Sequence, residues 1–146
     1  MIYAGYADSS IRKWHYNSSG TSKMLLKMEL SDDAKIWTLN QADGYLISGD
    51  SNGDVVIWDK KSGNTIKTFS ELKADCLQLV IIGQEYKTIY ASGVDSKIVC
   101  ISQVQLSKKQ KHYVPNIIGM STQERKDIDK DWVYTSNMRG QSHDIR

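Results

Sequence analysis

Residues 46–63, LISGDSNGDVVIWDKKSG, form two short apolar runs split by a polar turn, and the second run closes on Trp58-Asp59. Two other stretches lie over it without a gap once Asn52 is set against Asp8 and Asp95. They are IYAGYADSSIRKWHY from Ile2 and IYASGVDSKIVCISQ from Ile89. Ile2, Leu46 and Ile89 fall in one column, and Ala4, Ser48 and Ala91 in a column of small residues. Ile11, Val55 and Ile98 share a third column, and Trp14, Trp58 and Ile101 a fourth. The copies are offset by 44 and then 43 residues.

Each column has a physical reading. The run before the turn is a strand, with small residues where a neighbouring sheet comes close. Gly5 and Gly49 suit a close approach or an unusual dihedral angle. The turns are rich in Asp, Ser, Asn and Gly, which satisfy their own backbone and tolerate left-handed geometry. The aromatic residue ending the next strand has a large area to bury and one N–H to place. A period of about 40–45 residues made of short strands is the signature of a WD40-type β-propeller, and the chain resembles WD40 repeats over most of its length. The pattern is degenerate. Trp14-His15 and Ile101-Ser102 replace the Trp-Asp pair in two copies, and Asn52 replaces the turn Asp in the copy that keeps Trp58-Asp59. The Gly-His dipeptide before the innermost strand is absent from the second and third copies, so the hydrogen-bond tetrad of strong repeats is expected to be incomplete.

The rest of each period yields further strands. KIWTLN (35–40) before Ala42-Asp43-Gly44 is the innermost strand of the second blade, and TIKTF (65–69) its outermost. CLQLVII (76–82) is the innermost strand of the third. The expected fold is all-β: about three four-stranded antiparallel blades of a larger propeller. Blade 1 supplies its second to fourth strands from about 1–31, and blade 2 runs from about 32–71. Blade 3 spans about 72–142 with an insertion at 106–131, and 143–146 enters a further blade. A propeller needs about four blades to close, so the chain reads as a portion of a larger ring. The rival, a short chain closing a ring by oligomerising, would need a whole inner strand from the four residues after Ser142. Strand pairs should centre on the turns at Asp8, Asn52 and Asp95, with Trp14, Trp58 and Ile101 largely covered.

Composition is that of an ordinary soluble domain, with 25% charged residues and a formal net charge of +2, so total charge favours no particular partner. No apolar stretch is long enough for a membrane helix, and the N-terminus has no basic leader followed by an apolar core. Cys76 and Cys100 each fall within a strand, far apart in sequence, and read as buried small hydrophobes in a reducing compartment.

After Gln105 the repeat breaks. LSKKQKHYVPNIIGMSTQERKDIDKD (106–131) intervenes before WVYTSNM resumes strand character. Lys108, Lys109 and Lys111 lie beside His112 and Tyr113, and Arg125 and Lys126 follow in a segment of mixed sign. One reading is a solvated loop. The other is a basic tongue touching RNA phosphate or an acidic partner surface, with these five basic residues and Tyr113 as contact candidates.

No enzyme pattern survives inspection. Ser142-His143-Asp144 has the residue types of a hydrolase triad, but adjacent side chains on a strand point to opposite faces. His143 fits better as a blade-entry histidine. The three histidines are scattered, no Cys/His spacing suits zinc, and no phosphate-binding glycine loop is present. No cofactor, metal or small-molecule substrate is expected. Asp8, Trp14, Ser48, Asn52, Trp58, Asp59, Asp95 and His143 are assigned to the structural repeat.

A narrower resemblance rests on the order of SGDSNGDVVIWD, ASGVDSKIVCIS, a charged insertion and WVYTSNMRGQSHDIR. That order is similar to the cirhin family of tandem-propeller proteins, in which a Gly-Val-Asp-x-Lys-Ile strand pair precedes an insertion and a Trp-Val strand. The resemblance implies a non-enzymatic nucleolar scaffold of the t-UTP subcomplex of the small-subunit processome. It would be a ribonucleoprotein component holding other t-UTP subunits and the 5′ external transcribed spacer of pre-rRNA. The alternative is a WD40 substrate receptor or peptide reader of a ubiquitin ligase or chromatin complex. Against it, the turn positions nearest the channel mouth, Tyr6, Asp50 and Gly93, share no chemistry.

Overall fold

A computed structural model describes residues 1–30, 32–106 and 130–139. The described residues form eleven strands and no helix. They are β1 (Ile2–Gly5), β2 (Ser10–Tyr16), β3 (Ser22–Glu29), β4 (Ile36–Ala42), β5 (Tyr45–Asp50), β6 (Val55–Asp59), β7 (Thr65–Phe69), β8 (Cys76–Ile82), β9 (Thr88–Gly93), β10 (Lys97–Gln105) and β11 (Lys130–Arg139). Three antiparallel sheets follow one another along the chain: β1-β2-β3, β4-β5-β6-β7 and β8-β9-β10-β11. This is the architecture of successive propeller blades. The first sheet has three described strands and the others four. β11 takes up Lys130 and Asp131, which the sequence reading left in the insertion.

The repeat columns map onto the two faces of each sheet. In β5, Leu46 packs toward the first sheet, with Ile11, Met28, Ile36, Val56 and Trp58. Its neighbour Ile47 packs toward the third, with Val55, Ile57, Cys76, Leu79, Ile89 and Ile101. The middle sheet is therefore covered on both faces, which is why LIS and VVIW read as unbroken apolar runs and not as alternating ones. Gly49 marks a close approach of the middle and third sheets: a Cβ there would lie 2.5 Å from the Cys76 sulfur.

The outer faces differ. Trp58 and Ile101 are 2% and 0% exposed, but Trp14 in the same column is only half-buried. Its column faces the preceding sheet in the other two copies, and among the described residues no sheet precedes the first. Trp14 instead lies beside Ile2 and Met24, its cross-strand neighbours, both about half-exposed. The matching face of the third sheet exposes Val80, Ile82, Ile98 and Met138.

At the outer rim, β11 is tied to the middle sheet. Lys67 Nζ donates to the Trp132 carbonyl at 2.7 Å and lies 3.2 Å from the Asp131 carboxylate. The buried Trp132 ring meets Tyr45 edge-on, with centroids 5.4 Å apart.

Candidate interaction surface

The turns sort onto two ends of the stack. One end holds the β1–β2, β5–β6 and β9–β10 turns with the 30–35 and 70–75 connections. The other holds the β2–β3, β4–β5, β6–β7 and β8–β9 turns, and the chain leaves β10 and re-enters β11 there.

The first end carries Asp8, Asp50, Asp54, Asp75 and Asp95, with Arg12, Lys35, Lys73 and Lys97 among them. The aligned residues Asp8, Asn52 and Asp95 do three different things. Asp8 accepts hydrogen bonds from the Ser10 backbone and hydroxyl and pairs with Arg12 at 2.6 Å. The Ser10 hydroxyl, more than Arg12, holds its carboxyl below the ordinary value. Asp95 accepts the Lys73 backbone N–H at 2.9 Å, bracing the previous connection, and that bond lowers its carboxyl. Asn52 contributes its backbone N–H to Asp50 at 2.9 Å. Asp50 is thus the residue that organises the central turn, since its Oδ1 also accepts the Asp54 N–H at 3.0 Å. It is 1% exposed, and burial pushes its carboxyl above the ordinary range. Sequence reading assigned this role to Asn52. The signal it passed over was an Asp two residues before Asn52 and four before Asp54, the spacing of a side chain that closes its own turn.

Of the expected tetrad a pair is present: Trp58 Nε1 donates to Ser48 Oγ at 2.9 Å, fully buried. The equivalent positions, Ala4 with Trp14 and Ala91 with Ile101, have no hydroxyl to accept such a bond. Asp59 lies outside this pair and caps its own turn through the Lys61 and Ser62 N–H groups. The positions nearest the channel mouth remain chemically unlike: Tyr6 lies under Arg12 at 4.1 Å, Asp50 is buried, and Gly93 packs on the Asp75 carbonyl. Beside them Trp37, half-exposed, donates its indole N–H to Asp75 at 2.8 Å. Lys108, Lys109, Lys111, Tyr113, Arg125, Lys126 and His143 lie outside the described residues.

The second end carries Lys13, Lys60, Lys87 and Lys130, together with Asp43, Asp59, Glu85 and Asp131. Lys13 Nζ donates to the Lys60 carbonyl at 2.9 Å, and Lys60 Nζ to the Asp43 carbonyl at 3.1 Å. Both ammonium groups lie over the Tyr3 ring, 5.8 and 5.7 Å from its centroid. Lys87 Nζ reaches the Asp43 carboxylate at 3.3 Å and the Gly83 and Gln84 carbonyls, each at 2.9 Å. Lys130 Nζ donates to the Glu85 carbonyl at 2.6 Å and lies over the Tyr86 ring at 5.0 Å. These contacts run as one string across all three sheets. A cavity of about 250 Å³ opens beside it, lined by Met1, Tyr3, Leu39, Asn40, Gln41 and Leu46. Among the described residues no group of three or more His, Cys, Asp or Glu side chains is placed to hold a metal ion.

No protein-family profile matches the chain. It is 26% identical to "U3 small nucleolar RNA-associated protein 4" of Schizosaccharomyces pombe over 99% of its length, and 28% identical to the Saccharomyces cerevisiae protein of the same name over 100%. The chain spans 18% and 17% of those relatives. Among solved structures, a chain of the mitotic checkpoint complex overlaps 68% of this chain at 16% identity and a TM-score of 0.45.

Proposed function

We propose that the chain is part of a non-enzymatic WD40 scaffold of the small-subunit processome, acting in pre-rRNA processing in the nucleolus. The observation that carries this reading is similarity, over the whole chain, to two yeast proteins named for association with U3 small nucleolar RNA. The order of blades and insertion that resembles the cirhin family supports it. Rigid sheets with loops at both ends make a surface for large partners. The finer reading is membership of the t-UTP subcomplex, with the other t-UTP subunits and the 5′ external transcribed spacer as partners.

The test is affinity capture of the tagged protein from cells, followed by RNA and protein identification, with imaging of its location. Enrichment of U3 RNA, spacer RNA and processome subunits is the expected result. Capture of a ubiquitin ligase or histones in their place would replace this reading with the peptide-reader one, which the unlike chemistry of Tyr6, Asp50 and Gly93 disfavours.

A further inference from the structure

We infer that bulges at the start of β4 and β8 build a docking surface for an extended segment of a partner protein. The segment it fits carries a large aliphatic or aromatic side chain beside a basic one. The surface is Trp37, Leu77 and Val94 around the Asp75 carboxylate, at the end that also holds Asp8 and Asp95. It goes beyond the processome reading and stands whichever complex the protein joins.

Three observations carry it. First, the first strand of the second and of the third sheet skips one residue near its start. Trp37 falls between the pairs Ile36↔Asp50 and Thr38↔Gly49, and Leu77 between Cys76↔Gly93 and Gln78↔Ser92. Ile36 and Cys76 are buried, while the skipped Trp37 and Leu77 are each 48% exposed. A bulge bends the strand and re-aims a side chain, and here it brings a large apolar one to solvent at the same place twice. Trp37 belongs to the middle sheet, which is covered on both faces, so its exposure does not come from an uncovered sheet face. Second, the surface is held in place. Trp37 Nε1 donates to Asp75 at 2.8 Å, and the Asp75 carbonyl accepts the N–H of the exposed Val94 at 3.1 Å. A docking segment meets a ring that is already fixed, which lowers the entropy cost of binding. Tryptophan is among the residue types that most often anchor an interface. Lys35 Nζ stands over the ring at 5.9 Å, the outer limit of a cation–π contact, and is itself exposed, so an incoming apolar side chain displaces it at little cost. Third, charge selects the segment. One Asp75 oxygen takes the indole N–H, and the other has no partner among the described residues. Asp8 is matched by Arg12 and Asp95 by Lys97, while Asp32, Asp33 and Glu71 in the adjoining connections add carboxylates. Such an end attracts a basic segment and repels phosphate.

The experiment pans a random dodecapeptide phage library on the immobilised whole chain. Counter-selection uses the double variant Trp37→Ser with Leu77→Ser, which keeps the apolar outer faces and so removes peptides that bind there. Surviving peptides should pair Leu, Ile, Met or an aromatic residue with a neighbouring Arg or Lys. The most enriched one, synthesised and followed by anisotropy, should bind the double variant about 30-fold more weakly than the parent. Trp37→Phe keeps an aromatic ring without the N–H and should retain most of the affinity. Asp75→Asn keeps an oxygen for the indole and should lose roughly 2- to 5-fold, with a flatter salt dependence. Ile66→Ser, which removes a comparably exposed side chain from β7, should change nothing. The proposal is overturned if no peptide survives counter-selection, if the survivors are acidic or wholly polar, or if Ile66→Ser causes an equal loss. An equal loss from Trp37→Phe would also overturn it, because the Asp75 bond would then shape the junction of the sheets and the ring would contact nothing. So would a short single-stranded RNA that displaces the peptide and itself needs Trp37, which would make this end a base-stacking surface. Failure of the tagged protein to capture U3 RNA from cells would remove the processome reading and leave this site standing.

Discussion

At the scale of single residues, the buried polar groups decide most. Ser48→Ala leaves the Trp58 indole N–H buried and unpaired, and should cost about 1–3 kcal/mol in denaturant titrations. Trp58→Phe in the same background should show strong coupling, because the orphaned donor is gone; independent effects would mean the bond contributes nothing. Asp50 gives a pH signature. Its native carboxyl is raised, so just above the ordinary value of 3.8 the native state holds more protons than the unfolded chain. Its effect on stability therefore falls as pH rises through the native transition and stays at the lower level beyond. Asp8 and Asp95 act oppositely: their contribution is present above 3.8 and lost as pH falls through their lowered native values. Asp50→Asn keeps an oxygen for both N–H donors. Its melting temperature relative to the parent should climb between about pH 4 and pH 7, and a constant difference would rule out the raised carboxyl. Burial, with nearby Asp50, pushes the Cys76 thiol up to about 12. Cys76 should resist alkylation at about pH 8 until the protein unfolds. The pair Trp58-Ser48 was legible as two columns of the repeat. Asp50 was not, because hydrophobic period and turn composition do not say which of several adjacent polar residues turns inward.

At the scale of elements, the turns carry the constraint. Gly53 has φ +85°, and a Cβ there would lie 2.6 Å from the Leu72 and Ala74 carbonyl oxygens. Gly53→Ala should therefore cost more than about 1 kcal/mol. Gly44, in the β4–β5 turn with nothing within 4 Å of its would-be Cβ, should accept Ala at little cost. Similar melting temperatures for the two variants would contradict the packing of the 70–75 connection against the central turn. Strands were the most legible part of the sequence: TIKTF, an alternating segment rich in β-branched residues, and CLQLVII, a largely apolar run, are each set off by turn residues and coincide with β7 and β8. The extension of β11 back to Lys130 was not legible, since Lys130 and Asp131 carry no strand signal of their own. Tertiary partners hold them there, Lys130 at Glu85 and Asp131 at Lys67.

At the scale of the whole molecule, stability passes from sheet to nearest sheet, as in other repeat architectures. The middle sheet, covered on both faces, should show the slowest amide exchange, and the two outer sheets should open first. Among the described residues, the outer faces, with Ile2, Trp14 and Met24 on one side and Val80, Ile82, Ile98 and Met138 on the other, are unmatched halves of the contact that joins the sheets internally. The chain expressed alone should self-associate, and Trp14→Glu with Ile98→Glu should shift it toward monomer in sedimentation. A monomeric parent chain would show that these faces are not adhesive. Period alone made the stacking order readable. The lysine string was not, because Lys13, Lys60, Lys87 and Lys130 are scattered in sequence and only the strand registers bring them to one end.

The anchoring of β11 bears on how the protein tolerates cutting. β11 pairs with β10 from Lys97↔Arg139 to Gln105↔Lys130, buries Trp132 and accepts Lys67 at the rim. None of these attachments depends on the covalent link through 107–129. A protease nick in that stretch should leave both pieces co-eluting as one native particle, separable only in denaturant.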